Sequence, residues 1–281
     1  MAYEYERLRI ELDGGVAFAT IDNPPINLMT VPLFLDLARF GSEAAQDEGV
    51  RAVVLRSDNP DFFIAHFDVE AILEFPTDTP AERTKNVEDN AFHSMCEIYR
   101  TMPKPTIVEL GGRVGGGGSE LISSCDMRFG ALGKAIMSQP EVAIGILPGG
   151  GGTQRLHRSL GRARALEMIL GCDDLDAETA ERWGYLNRAL PADQLRGFVE
   201  KLAHRIASFP PEAVALAKQA VDAAEPRREG LLEEAYLFQR LLRTDDAQSM
   251  MRRFLDAGGQ TAEGELRLAE LCDELASKPD H

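Results

Sequence analysis

The chain has 281 residues, 44% hydrophobic and 27% charged, a globular composition long enough to bury a core without disulfide staples. A net charge of −16 repels phosphate backbones and argues against nonspecific nucleic-acid binding. No apolar run approaches the roughly 20 residues that span a bilayer, so no membrane partner is expected. The four cysteines (Cys96, Cys125, Cys172, Cys272) form no CxxC pair and have no histidine at ligand spacing. That pattern fits reduced thiols in a cytoplasmic protein, with no metal site. The opening "MAYEYERLRIELDGG" lacks the order of a signal peptide.

In chain order, "LRIELDGGVAFATID" alternates on either side of Gly14-Gly15 and reads as a β-hairpin. "VPLFLDLARFGSEAAQ" has helical spacing, and "VRAVVLRS" (50–57) is a compact β-branched strand. "PAERTKNVEDNAFHSMCEIYRTM" is expected to be one helix, stopped by Pro103 and Pro105. "TIVEL" is the next strand, "SELISSCD" is helical and "MRFGAL" is a short strand. Strands alternating with helices predict an α/β fold of βαβ-like units, with no repeat of fixed period. Beyond Pro191, "ADQLRGFVEKLAHRIASF", "PEAVALAKQAVDAA" and "REGLLEEAYLFQRLLRT" are successive amphipathic helices without strands. The expected division is a core over residues 1–200 and a helical part over 201–281.

Two glycine-rich segments carry the chemistry: "GGRVGGGGSELISSCD" (111–126) and "SQPEVAIGILPGGGGTQRL" (138–156). Neither is a phosphate loop of the GxxxxGK[ST] kind, since no lysine is in place. The GxGxxG fingerprint fails at Glu120 in the first segment and at Arg155 in the second. Glycines ahead of a helix can instead bring backbone N–H groups against a ligand oxygen, aided by the helix N-terminus. Glu120, just inside such a helix, is either an acid or base beside an oxyanion site or a first-turn partner of the helix dipole. Glu141 precedes "VAIGIL" at the edge of a buried segment. Burial there would suit it to proton donation, whereas the ordinary reading pairs it with a residue such as Arg155.

Together these segments resemble the enoyl-CoA hydratase/isomerase (crotonase) superfamily, over roughly residues 5 to 255. The densest matches are "GGRVGGGGSELISSCDMRFGA", the ordered Q-P-E, P-G-G-G-G-T-Q-R-L and A-x-x-x-G-Y-L from residue 139 onward, and the loop "DFFIAHFDVEAI". The resemblance implies a crotonase-like spiral of ββα units with a helical C-terminal region that drives assembly into a homotrimer or dimer of trimers. It implies an acyl-CoA thioester substrate and no separate cofactor, coenzyme A being part of the substrate. By position it makes Ala65 and Gly117 the oxyanion N–H donors. Glu120 becomes the base that activates water for attack on C3 of a 2-enoyl-CoA, and Glu141 the acid that protonates C2. Asp126 matches an acid that supports the site without acting in it. His66, Phe67, Asp68 and Gly116 are expected against the substrate. His66-Phe67 stands where the family usually has Gly-Ala, adding bulk near the adenine end of CoA. Gly115, usually a larger apolar residue, would either widen the acyl pocket or loosen the turn. Isomerisation, hydrolysis or decarboxylation of an acyl-CoA, and a non-catalytic CoA-binding paralogue, are the alternatives; fold alone does not choose among them.

Overall fold

The computed structural model describes residues 3–223 and 228–277. The hairpin forms as expected from β1 (Leu8–Asp13) and β2 (Val16–Ile21), with Gly14 and Gly15 turning at φ +54° and +82°. After α1 (Val31–Gln46) the chain repeats one motif three times, each time a strand of the main sheet followed by a short strand of a second sheet. The pairs are β3 (Ala52–Ser57) with β4 (Phe62–Ile64), β5 (Thr106–Leu110) with β6 (Arg113–Gly115), and β7 (Met127–Ala131) with β8 (Ile136–Ser138). Helices follow each pair: α2 (Val69–Leu73) and α3 (Ala91–Thr101), then α4 (Gly116–Ser124), then a 3-10 turn (Glu141–Ile144) and α5 (Gly152–Leu160). The result is a ββα spiral.

The main sheet has the order β1-β2-β3-β5-β7-β10 and is parallel from β2 onward, ending in β10 (Arg188–Leu190). The second sheet runs β4-β6-β8-β9, closed by the antiparallel β9 (Leu175–Asp176). Strands β2, β3 and β5 are buried on both faces, as parallel strands covered by helices on either side are, so the alternation expected of β2 does not correspond to an exposed face. One face packs on α1, α3 and α4 through Leu33, Leu37, Phe40, Tyr99 and Leu121. The connection from β8 to β10 carries α6 (Arg162–Gly171) and α7 (Ala177–Trp183).

The opposite face of the main sheet is covered by α8 (Ala192–Ala207). Its Leu195, Val199, Ala203 and Ala207 recur at helical spacing and pack on Val16, Phe18, Val54 and Ile107. The boundary expected between residues 200 and 201 therefore falls inside a helix that belongs to the core. Next come α9 (Pro211–Asp222), which buries no residue, α10 (Arg228–Leu242) and α11 (Asp245–Asp256). The last are α12 (Ala262–Leu266) and α13 (Leu268–Ser277). Met251, Phe254, Leu268 and Leu271 of this region pack with Val69, Ile72 and Ile144. The C-terminal helices thus close over the spiral of their own chain.

The helix expected from residue 80 starts only at Ala91, after a 3-10 turn at Val87–Asp89. Asn90 is the reason: its side-chain oxygen accepts the N–H groups of Phe92 and His93 and caps the helix there. The polar "TPAERTKN" upstream offers no apolar stripe, and a helix without one gains too little to form. No helix among the described residues is long and apolar enough to cross a membrane.

Candidate active site

The first glycine run ends β6 and opens α4. Gly116 sits at φ +45°, and a Cβ there would lie 3.0 Å from His66 Cβ and 3.1 Å from Glu141 Oε1. A Cβ on Gly117 would lie 3.1 Å from Phe67 Cβ. The missing side chains thus let three distant segments converge on one point. Gly115 has a different duty from either one expected of it. A Cβ there would come within 2.6 Å of the Ala65 carbonyl oxygen, so it permits β4–β6 packing and does not border the cavity.

Glu120 is buried one turn into α4. Its Oε1 accepts the N–H groups of Gly150 at 2.7 Å and Gly152 at 2.8 Å, so the second glycine run holds the acid supplied by the first. Burial pushes its pKa well above the usual carboxylate range, aided by the charges of Glu141 and Glu234; the two backbone N–H groups oppose the rise. Glu141, also buried, opens the 3-10 turn. Gln139 Nε2 donates to both its oxygens at 3.1 Å, and burial pushes its pKa up to about 7. Two interacting carboxyls this deeply buried titrate as a unit. Arg155 is not the partner of Glu141: it pairs with Glu97 and donates to the Gly150 carbonyl.

Both glutamates line a cavity of about 600 Å³. Its wall is largely apolar and includes an aromatic cluster, with Phe34 stacked on Phe92 at 5.7 Å and Phe67 edge-on to Phe92 at 5.9 Å. Phe238 of α10 and Phe254 of α11 complete it, so the C-terminal region furnishes part of the site.

The loop after β4 requires a correction. Ala65 was expected to donate its N–H to the ligand, but that N–H is bonded to the Ile26 carbonyl at 3.3 Å, and Ala65 does not line the cavity. Two residues on, Phe67 pairs with Met29 as an isolated parallel bridge. Met29 donates to the His66 carbonyl and accepts from Asp68 N–H, and Phe67's own N–H turns the other way. That N–H meets no acceptor among the described residues, and Phe67 lines the cavity. Gly117 lies in the first turn of α4, where N–H groups have no intrahelical acceptor. Asp68 does not reach the cavity either; it caps α2 by accepting the Glu70 N–H and binds Gln260 Nε2. His66 and Gly116, which the resemblance sets against the substrate, line the cavity. Asp126 sits at the far end of α4, accepting Lys218 Nζ at 2.8 Å and the Thr106 N–H at 2.7 Å, away from the glutamates.

Two carboxylates that sequence reasoning passed over are built into the site. Glu234 on α10 accepts the N–H groups of Gly151 and Thr153, the Thr153 hydroxyl and His93 Nε2. Glu265 on α12 meets His66 Nε2. Glu234 stood on the apolar stripe of its helix between Leu231 and Leu242, and an acid on a buried stripe was the signal available.

A sequence model of the enoyl-CoA hydratase/isomerase family matches residues 11–262. A short-chain-enoyl-CoA hydratase of Clostridium acetobutylicum is 30% identical over 256 residues, covering 90% of this chain and 96% of that one. A provisionally named enoyl-CoA hydratase, echA8, of Mycobacterium tuberculosis is 31% identical over 257 residues, covering 90% and 96% respectively. Among solved structures, a provisionally named enoyl-CoA hydratase from Streptomyces avermitilis superposes with a TM-score of 0.88 at 37% identity. It covers 98% of this chain and 100% of that chain. Matches of this extent, on a ββα spiral with paired buried glutamates, decide the matter: the chain is an enzyme of the enoyl-CoA hydratase/isomerase family, with the crotonase fold.

Proposed function

We propose that the protein hydrates the 2,3 double bond of a 2-enoyl-CoA thioester. The carrying observation is the convergence of Glu120 and Glu141 on one apolar cavity that Phe67 and Gly117 also line. Adding water to a conjugated thioester builds negative charge on the thioester oxygen. It also needs one group to take a proton from water and another to give one to C2. The N–H groups of Phe67 and Gly117 receive the oxygen. Glu120 has one oxygen held by Gly150 and Gly152, which leaves Oε2 to deprotonate water as it attacks C3. Glu141, which lines the same cavity, delivers the proton to C2. The apolar walls exclude bulk water, which strengthens each of these electrostatic contacts.

The test is decay of enoyl-thioester absorbance with crotonyl-CoA. Turnover by the wild type supports the proposal; binding of the ester without any loss of absorbance contradicts it. Assembly is proposed on separate grounds. Helix α9 buries none of its residues and exposes Leu216 and Val221, so we read it as a self-association surface of a homotrimer or dimer of trimers. Light scattering on the purified protein checks this.

A further inference from the structure

His66 stands out among the cavity residues because it is buried, polar and held at both ring nitrogens. Nδ1 lies 2.8 Å from the Phe67 carbonyl oxygen, and Nε2 lies 2.9 Å from Glu265 Oε1. A carbonyl oxygen can only accept, so Nδ1 carries a proton. Glu265 Oε1 also accepts the Gln260 N–H at 2.7 Å, which favours its ionised form and makes Nε2 a donor too. Both nitrogens then carry protons, and a neutral ring has only one to give. The geometry describes an imidazolium–carboxylate pair.

From this we infer that His66 is a cationic positioning residue for the oxyanion loop, kept charged by Glu265 from the far end of the chain. The inference rests on the hydration reading and adds a residue to it. The two hydrogen bonds flank the peptide that matters. The His66 carbonyl accepts the Met29 N–H at 2.8 Å, and the His66 ring clamps the Phe67 carbonyl; between them lies the Phe67 N–H, which turns away from Met29 and meets no acceptor among the described residues. Fixing both neighbouring groups fixes the direction of that N–H. The positive ring also stands beside the place where negative charge develops on the thioester oxygen, and in a dry site such charge is weakly screened.

The support comes from outside the spiral. Gln260 donates its N–H to Glu265 and its side chain to Asp68, and its Oε1 accepts the Val69 N–H. The 258–266 segment is thereby strapped to the loop at three points. Phe254 packs its ring edge-on to His66 at 5.6 Å. The charged groups facing His66 are Glu265 on α12 and Glu141 on the 3-10 turn, with Arg113 of β6 acting on Glu265. Burial alone would strip the proton from the ring. Glu265, the Phe67 carbonyl and Glu141 outweigh it and raise the pKa to about 9.

The test uses the full-length enzyme and two conservative substitutions, His66→Gln and Glu265→Gln, each checked for folding by circular dichroism. Nitrogen NMR of the wild-type ring is expected to show His66 charged at pH 7, titrating near 9, and Glu265→Gln is expected to lower that titration by at least about one unit. Saturated butanoyl-CoA is expected to shift the Phe67 amide resonance in the wild type and much less in His66→Gln. With crotonyl-CoA, each substitution is expected to lower kcat about 10- to 100-fold with KM changed less than about threefold, and to move the basic limb of the pH profile. The double variant is expected to be no worse than either single one. A neutral His66 in the wild type at pH 7, or a folded His66→Gln enzyme with unchanged kcat and basic limb, overturns the inference. A wild type that hydrates nothing yet shows the charged ring and the His66-dependent Phe67 shift would defeat the hydration reading and leave this one standing.

Discussion

Glu234, on α10, accepts the N–H of Gly151, the glycine that lies between the two residues whose N–H groups hold Glu120. One carboxylate therefore shapes the loop that positions the other. Replacing Glu234 by alanine leaves the N–H groups of Gly151 and Thr153, the Thr153 hydroxyl and His93 without their shared acceptor in a buried place. The expected cost is about 3–5 kcal/mol, a drop in Tm on the order of 10 °C. Thermal denaturation checks it. Kinetics on the folded fraction should show lowered kcat as well, because the loop that fixes the two N–H donors to Glu120 loses its frame.

Gly150 tests how tightly that frame is packed. A Cβ there would lie 2.4 Å from the Phe92 ring and 2.8 Å from Glu120 Oε2. Gly150→Ala is expected to cost about 1–3 kcal/mol by overpacking and to displace the carboxylate. Adding Phe92→Ala makes room for the methyl group and should recover part of the stability. Denaturant midpoints of the single and double variants decide the point.

The carboxyls predict a pH dependence of stability. Glu141 titrates near 7 when folded and near 4.5 when unfolded, so the folded state binds the extra proton between those values. Stability contributed by protonated Glu141 is full below 4.5 and falls as pH rises through 7. Glu141→Gln removes that loss. At pH 8 the variant is expected to be more stable than the wild type by about 1–3 kcal/mol, and at pH 4.5 to differ little. Chemical denaturation at the two pH values measures it.

Glu120→Gln and Glu141→Gln each keep the shape of the site while removing a proton-transfer group. Each is expected to lower kcat for crotonyl-CoA about 10²- to 10⁴-fold, with much smaller changes in KM. Equal losses in kcat and in binding of saturated butanoyl-CoA would place the glutamates in binding alone.

The two glycine runs were legible in the sequence, and so was the place of Glu120, because that feature is local: a strand, glycines, then an acid within one helical turn. The ββα repeat was not legible as a period. Its main-sheet strands begin at Ala52, Thr106 and Met127, and long helical excursions of unequal length hide the recurrence. The loop after β4 was legible as a segment, but the hydrogen-bonding state of each of its N–H groups was not. Whether Ala65 or Phe67 has a free N–H depends on which of them pairs with Ile26 and Met29, about forty residues upstream in the chain. Glu265 was hidden for a similar reason. Its partner His66 is 199 residues away, and a five-residue helix carries too short a stripe to mark it as buried. The C-terminal helices showed their apolar faces clearly. Amphipathic spacing does not say whether such a face meets another chain or its own, and here α11 and α13 meet their own.

The most direct measurement is proton NMR of the products formed from crotonyl-CoA in heavy water. The account predicts a 3-hydroxybutanoyl thioester with a single deuterium at C2, formed by the wild type and much more slowly by Glu120→Gln and Glu141→Gln. Deuterium at C4 with no hydroxyl at C3 would reveal double-bond migration, and free coenzyme A would reveal thioester hydrolysis. Either result would contradict hydration.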